Sequence, residues 1–287
     1  MADAPVRSGL LDPRTIRALA AELNLHPSKQ RGQNFVIDPN TVRRIVALAG
    51  VRPGEVVLEV GPGLGSLTLG LLEAGAQVTA VEIESSLATR LERTVSERLP
   101  DAVHRLTVLE ADALRITELD PLPTRVVANL PYNISVPVIL HLLATFPSIT
   151  SGLVMVQLEV ADRLVAPPGN KVYGTPSAKL AWYASASRVG TVPSTVFWPV
   201  PNVESGLVAF TRREPPATFD RQTVFDVVDA AFGQRRKMLR SALSRLFGSS
   251  AAASDALEAA GIDPTRRGET LTIEEFAAIV PHLPSQL

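Results

Sequence analysis

The sequence predicts an α/β protein: a parallel sheet with helices on both faces, followed by a smaller C-terminal α-helical domain. Three observations lead there. Up to Thr211, short β-rich runs alternate with helical stretches. Glycines at 61, 63 and 65 follow the first clear strand at once. Beyond Pro215 and Pro216 the β signal stops and the remaining chain reads as helix.

The elements follow in order. Residues 56–60 form a β-rich strand, and 64–72 the helix after the glycine turn. Residues 77–83 alternate towards a second strand, and 85–98 make a charged, amphipathic helix. Residues 106–109 and 125–128 are further strands. Residues 135–145 are a helix with Pro137 in its first turn, and 153–156 are another apolar strand. After Val165 the pattern is irregular, with loop signals at 167–170 and 174–176. Residues 205–211 are the last strand. Helices are expected over 223–232, 236–247, 252–260 and 273–280, with Ser249 to Ser254 as a solvated joint. The implied domains are an N-terminal extension over 1–27, optional and partly disordered, an α/β domain over 28–211 and a helical domain over 217–287.

Composition narrows the function. The 287 residues, 46% hydrophobic and 20% charged, suffice for one medium domain and a smaller one. There is no cysteine, which excludes disulfides, thiolate metal sites and cysteine nucleophiles. No long apolar run marks a signal peptide or a membrane span, so the cytoplasm is the default location. The net charge of −1 argues mildly against nucleic acid. It hides patterning, however. Lys29 and Arg31 form one small basic cluster. Arg235, Arg236, Lys237, Arg240 and Arg245 form a denser one with no acid among them, suited to phosphates.

Glu59-Val-Gly-Pro-Gly-Leu-Gly65 follows the first strand and opens a helix. Gly61 and Gly63 let backbone approach a ligand at a polar helix start. Nicotinamide and flavin enzymes use similar turns, and so do plain tight turns. Here the third glycine comes one residue too early for the usual dinucleotide fingerprint. Glu82 ends the second strand, where a carboxylate can accept from both ribose hydroxyls; the plain alternative is a charged strand end facing water. Asp112 follows the third strand and can accept from an adenine amine, or simply cap a turn. Together these strand ends place one nucleoside across a sheet edge. Acids rather than bases there suit a cationic sulfonium cofactor better than a pyrophosphate.

Asn129-Leu-Pro-Tyr132 follows the fourth strand. An adenine amine is a poor nucleophile because its lone pair is delocalised into the ring. Two acceptors on its hydrogens steer the nitrogen towards tetrahedral geometry and stabilise the positive charge as it forms. The Asn129 side-chain oxygen and the Leu130 carbonyl have the right chemistry. Pro131 stiffens the turn, and Tyr132 offers a face for a flipped base. The competing reading is an Asn-turn with a buried tyrosine. Phe197, in Phe197-Trp-Pro-Val-Pro201, is a candidate second face for stacking the target base, against the plainer reading of a packed loop. The Lys29 to Phe35 stretch reads as a lid over the cofactor or as an ordinary loop. No metal is expected.

With these residues in view, the chain resembles the bacterial small-subunit (16S) ribosomal RNA adenine N6-dimethyltransferases, the kasugamycin-resistance dimethyltransferases. The matching stretches are Gln33-Asn34-Phe35, Glu59 to Gly65, Glu82, Asp112-Ala113 and Asn129-Leu-Pro-Tyr-Asn-Ile-Ser135. Further on come Pro199-Val-Pro-Asn-Val-Glu-Ser205 and Phe232-Gly-Gln-Arg-Arg-Lys-Met-Leu-Arg240. The resemblance implies a Rossmann-like S-adenosylmethionine-dependent methyltransferase domain with a small C-terminal helical domain. It implies transfer to two adjacent adenosines near the rRNA 3′ end, each methylated twice, during small-subunit biogenesis. Carried residue by residue, it implies that Asn34, Val36, Gly61, Gly63, Glu82, Asp112 and Asn129 hold S-adenosyl-L-methionine. Arg235, Arg236, Lys237 and Arg240 would meet RNA. Val36 stands where leucine is usual. Gly174-Thr-Pro176 departs from the family's Gly-Arg/Lys-Leu, so that basic contact is not carried over.

The partner implied is small-subunit ribosomal RNA or a 30S precursor, met by a monomer away from any membrane. The rival readings are a large-subunit rRNA adenine methyltransferase, an assembly factor in which binding outweighs methylation, and a nicotinamide-dependent oxidoreductase. The segment from Phe232 to Arg240 and the helical tail favour the small-subunit reading over the first. Asn129-Leu-Pro-Tyr132 and the glycine spacing disfavour the last.

Overall fold

The computed structural model describes residues 9–25 and 34–284. Lys29, Arg31 and Gln33, and with them most of the suggested lid, lie outside the described residues. The chain forms two compact units, Met1–Ala161 with Ser187–Thr211, and Asp162–Ala186 with Arg212–Leu287.

The first unit opens with α1 (Pro13–Glu22), β1 (Phe35–Val36) and α2 (Pro39–Ala49). It continues with β2 (Val56–Val60), α3 (Ser66–Glu73), β3 (Gln77–Glu82), α4 (Ser85–Arg98) and β4 (Leu106–Glu110). Then come β5 (Arg125–Asn129), α5 (Ser135–Thr145), β6 (Ser151–Gln157) and the start of α6 (Leu158–Leu164). After α7 (Thr175–Tyr183), the strands β7 (Ala184–Val192), β8 (Phe197–Trp198) and β9 (Ser205–Arg212) complete the sheets.

The main sheet has seven strands in the order β4-β3-β2-β5-β6-β9-β7. Strands β2 to β6 pair in parallel, and β9 runs antiparallel to β6. Strands β2 and β3 are covered on both faces, so they are buried almost throughout rather than on alternate residues. Because β3 and β4 lie on one side of β2 and β5 and β6 on the other, the order reverses between β2 and β5. That crevice at the strand carboxyl ends is where an open α/β sheet binds ligands.

Residues 9–25 are not an appendage. Asp12 caps α1 by accepting from the Thr15 N–H at 2.7 Å, with Pro13 in the first turn. Leu11, Ile16, Leu19 and Ala20 join the core of the first unit. The helical spacing of 16, 19 and 20 makes that burial a one-faced stripe.

The second unit holds α7, α8 (Arg221–Gly233), α9 (Leu239–Ala242), α10 (Ser244–Phe247), α11 (Ser250–Ala259) and α12 (Ile273–Ile279). The sequence reading of 28–211 as one domain differs here, since residues 162–186 group with the C-terminal helices. Gly174-Thr-Pro176 is a helix start rather than a loop: Gly174 is the N-cap of α7 and Pro176 sits in its first turn. The expected helix over 236–247 is broken. Leu239 and Arg240 donate their N–H groups to the carbonyls of Arg266 and Pro264, so tertiary bonds replace the helical ladder there. The stretch from Ser249 to Ser254 is exposed at its start but is no joint: it opens α11. The Ser249 hydroxyl caps α11 by accepting from the Ala252 N–H at 3.0 Å, and Ala253 is buried.

Candidate active site

A cavity of about 640 Å³ lies in the first unit at the carboxyl ends of β2, β3 and β5. Its walls include Asn34, Val36, Gly61, Gly63, Glu82, Asp112 and Asn129, so the structure brings together every residue expected to hold the cofactor. Gly61 has φ 69°, and a Cβ there would stand 3.4 Å from the Pro131 ring. Gly63 has φ 57°, and a Cβ would meet the Phe35 ring at 2.8 Å. Both positions need glycine for their backbone conformation, and Gly63 needs it for space as well.

Glu82 is 6% exposed. Its Oε2 accepts from the Gly63 N–H at 3.2 Å and its Oε1 from the Glu84 N–H at 3.0 Å. These bonds fix the carboxylate and tie the glycine turn to β3. Burial raises its pKa, against the pull of those backbone donors. Asp112 caps a turn, one of its two sequence readings, and stands on the cavity wall. Its Oδ1 accepts from the Leu114 N–H at 2.9 Å. The Val36 carbonyl already accepts from the Ser66 hydroxyl at 2.7 Å.

Glu59 stands in the glycine motif, and sequence reasoning gives it no role. It lines the cavity at 1% exposure, and the Thr68 hydroxyl donates to its Oε2 at 2.6 Å. Burial first, and the nearby Glu82 charge as well, push its pKa up to about 8, against the Thr68 bond. The available signal was a lone acid within the otherwise apolar strand β2. Ile83, 69% exposed, also lines the cavity; the sequence reading placed it in the second strand and gave it no further role.

Among the described residues, the ionisable groups on the cavity wall are Glu59, Glu82, Glu84 and Asp112, with no lysine, arginine or histidine. A pyrophosphate would be repelled here, and a cation is favoured in such a low-dielectric site. The residues present fit a nucleoside that carries positive charge.

The loop after β5 borders this cavity. The Asn129 Nδ2 donates to the Asn34 carbonyl at 3.0 Å, and its Oδ1 accepts no hydrogen bond among the described residues. Pro131 lines the cavity, whereas Leu130 and Tyr132 do not. The Leu130 side chain is buried, and its N–H donates to the Met155 carbonyl at 3.1 Å. Tyr132 is half-buried and hydrogen-bonded to Ser205.

Phe197 does not serve as a stacking face. It is 0% exposed, pairs with Val36 across the short β1–β8 ladder and belongs to the core. A ring without accessible surface cannot stack on a base. Its neighbour Trp198 stacks on Phe35 instead, with centroids 6.4 Å apart.

The basic cluster lies in the second unit and divides. Arg235 is committed internally: its Nε pairs with Glu269 at 2.8 Å and its Nη2 donates to the Lys171 carbonyl at 2.5 Å. Arg236, Lys237 and Arg240 are exposed. Arg236 and Lys237 sit in the turn between α8 and α9 rather than on a helix.

The family model for ribosomal RNA adenine dimethylase matches residues 25–283. The chain belongs to this family. It is 62% identical over 277 residues to a ribosomal RNA small subunit methyltransferase A of Thermobifida fusca, covering 96% of each chain. It is 60% identical to the protein of the same name in Cutibacterium acnes, covering 96% of this chain and 95% of that one. Among solved structures, a dimethyladenosine transferase from Plasmodium falciparum shares the fold with a TM-score of 0.72 at 23% identity, over 84% of this chain and 94% of that one. A 23S rRNA methyltransferase, ErmE, aligns with a TM-score of 0.64 at 28% identity, over 87% of this chain and 99% of that one. The dimethylase family thus spans both compact units, and the fold is that of an α/β methyltransferase.

Proposed function

We propose that this rRNA adenine dimethyltransferase uses S-adenosylmethionine to dimethylate the N6 amines of two adjacent adenosines near the 3′ end of small-subunit rRNA. The observation that carries the reading is that Asn129 and Pro131, from the loop Asn129-Leu-Pro-Tyr132, line a cavity whose only ionisable groups, among the described residues, are acids. Relatives named for the small subunit match at 62% and 60% identity, against 28% for the 23S enzyme, which favours the small-subunit target.

In this reading Glu82 accepts from the ribose hydroxyls, Asp112 from the adenine amine of the cofactor, and the glycine turn lets backbone lie close to it. The bound cofactor supplies an electrophilic methyl group on a sulfonium. The chain prepares the nucleophile. Asn129, held through its Nδ2 by the Asn34 carbonyl, presents Oδ1 to one hydrogen of the target amine; in the first transfer the Leu130 carbonyl takes the other. In the second a single hydrogen remains to be held, and each transfer releases one proton to solvent. Both acceptors strengthen as the nitrogen becomes positive, so they act on the transition state more than on binding. Tyr132 supplies a face for the extruded base. Arg236, Lys237 and Arg240 meet phosphates of the ribosomal RNA or of a 30S precursor, and the enzyme acts in the cytoplasm as a monomer.

The test is methyl transfer from labelled cofactor to unmodified small subunits, with the product nucleoside identified by mass spectrometry. N6,N6-dimethyladenosine at adjacent positions is the expected product. Label in another nucleoside, or only in the large subunit, overturns the reading.

A further inference from the structure

Two hydrogen bonds tie the catalytic loop to neighbouring strands. Near its start, Leu130 donates its N–H to the Met155 carbonyl of β6 at 3.1 Å. At its far end, the Tyr132 hydroxyl shares a hydrogen bond of 2.9 Å with the Ser205 hydroxyl. Ser205 opens β9, pairs with Gln157 of β6 and is 0% exposed. A hydroxyl without access to water needs a protein partner, and here that partner is Tyr132. Burial pushes the Tyr132 phenol above its ordinary range, so the group is a neutral one that holds a direction rather than a charge.

A tyrosine ring on a loop turns about two side-chain torsions. Anchoring its hydroxyl to a strand of the main sheet removes most of that freedom. We propose that Ser205 is a positioning residue for methyl transfer, fixing through the Tyr132 hydroxyl the plane of the ring on which the target adenine rests. This rests on the reading of Tyr132 as the stacking face for that base. Ser205 acts only through Tyr132. Without the bond the base still binds, but the ring tilts and the amine leaves the line of attack. Misalignment of this kind slows chemistry steeply while leaving binding nearly intact. Neither Tyr132 nor Ser205 lines the cofactor cavity, so cofactor affinity is untouched.

The experiment is a double-mutant cycle on the full-length enzyme with unmethylated small ribosomal subunits. Its variants are Ser205→Ala, Tyr132→Phe and the pair, with Tyr132→Ala alongside. Each conservative single change should lower kcat by about three- to tenfold, the effect of losing one buried hydrogen bond. The KM for subunits should stay within about twofold of wild type and S-adenosylmethionine affinity should not change. The double variant should be no slower than the slower single variant, because both changes remove one bond. Multiplicative losses, or losses that follow the folded fraction in thermal melts, overturn the proposal. Tyr132→Ala separates it from the reading beneath. If that variant turns over like wild type, Tyr132 is not the stacking face and both fall. If it is nearly inactive while Ser205→Ala is unimpaired, only the positioning role falls.

Discussion

In the cavity of the first unit, Glu59 and Glu82 sit almost out of reach of water, each held by a hydroxyl or by backbone N–H groups. In the turn of the second unit, Arg236 and Lys237 stand in solvent, with exposed Arg240 close by in the sequence. The first arrangement uses few contacts at low dielectric, so each matters and each is specific. The second uses screened charges whose effects are small, roughly additive and dependent on salt. On the proposed reading, small-molecule recognition and chemistry belong to the cavity and RNA affinity in part to the turn, so mutations in the two regions should differ in kind as well as in size.

The largest effect is expected at Asn129. On the proposed reading, Asn129→Ala removes an acceptor that gains strength as charge develops on the adenine nitrogen, and should cut kcat by about 10²–10³. It also removes the bond to the Asn34 carbonyl, so thermal stability has to be measured on the same preparation. A folded variant with near-wild-type turnover would end the role of Asn129 as an acceptor. Glu82→Ala comes next. It frees the Gly63 and Glu84 N–H groups and, on the proposed reading, deprives the ribose hydroxyls of an acceptor, so cofactor affinity in calorimetry should fall by roughly tenfold or more. Glu82→Gln keeps an acceptor oxygen and should recover part of the loss.

Glu59 gives the cavity a pH signature. Its pKa of about 8 in the folded protein lies above the ordinary 4.5, so the unfolded chain ionises first. Its contribution to stability is therefore fully present at low pH and is lost as pH rises from about 4.5 through about 8. A bound cation favours the ionised carboxylate, so cofactor affinity should rise over the upper part of the same window. Glu59→Gln cannot ionise. It should melt at or above the wild-type temperature at pH 8, with an advantage that shrinks towards pH 5, and its cofactor affinity should lose the pH dependence. Parallel pH profiles of melting and affinity for the two proteins would refute this assignment.

The cavity was far more legible in the sequence than its surroundings. The strand Val56–Val60 and the helices Ser85–Arg98 and Ser135–Thr145 fall where periodicity puts them, because buried parallel strands and one-faced helices leave strong patterns. Strand β7 was missed because it is a largely exposed edge, and Ala-Ser-Ala-Ser-Arg carries no apolar alternation. The break in 236–247 was missed because its cause lies in carbonyls of residues 264 and 266, remote in the sequence. Asn129 and Pro131 could be placed beside the cavity from the sequence, because they stand at the carboxyl end of a buried parallel strand. The exclusion of Phe197 could not be read there, since its burial depends on pairing with Val36 far upstream.

The smallest expected effects lie in the basic turn, and they divide one run of cations in two. Arg236, Lys237 and Arg240 are exposed, so changing all three to Gln should weaken binding to small subunits. It should also reduce the salt slope by up to about one unit for each phosphate no longer neutralised. Melting temperature and cofactor affinity should stay at wild-type values. Arg235→Gln should do the reverse. It breaks the pair with Glu269 and the bond to the Lys171 carbonyl, so it should cost stability, on the order of 1 kcal/mol for a partly exposed pair. The salt slope should barely move, because a guanidinium held by Glu269 is not free to meet a phosphate. Glu269→Gln tests the pairing from the other side and should lower the melting temperature by a similar amount. Subunit binding titrated against salt, together with thermal melts of the same variants, distinguishes the two groups. A salt slope for Arg235→Gln as flat as that of the triple variant would return Arg235 to the RNA-binding surface.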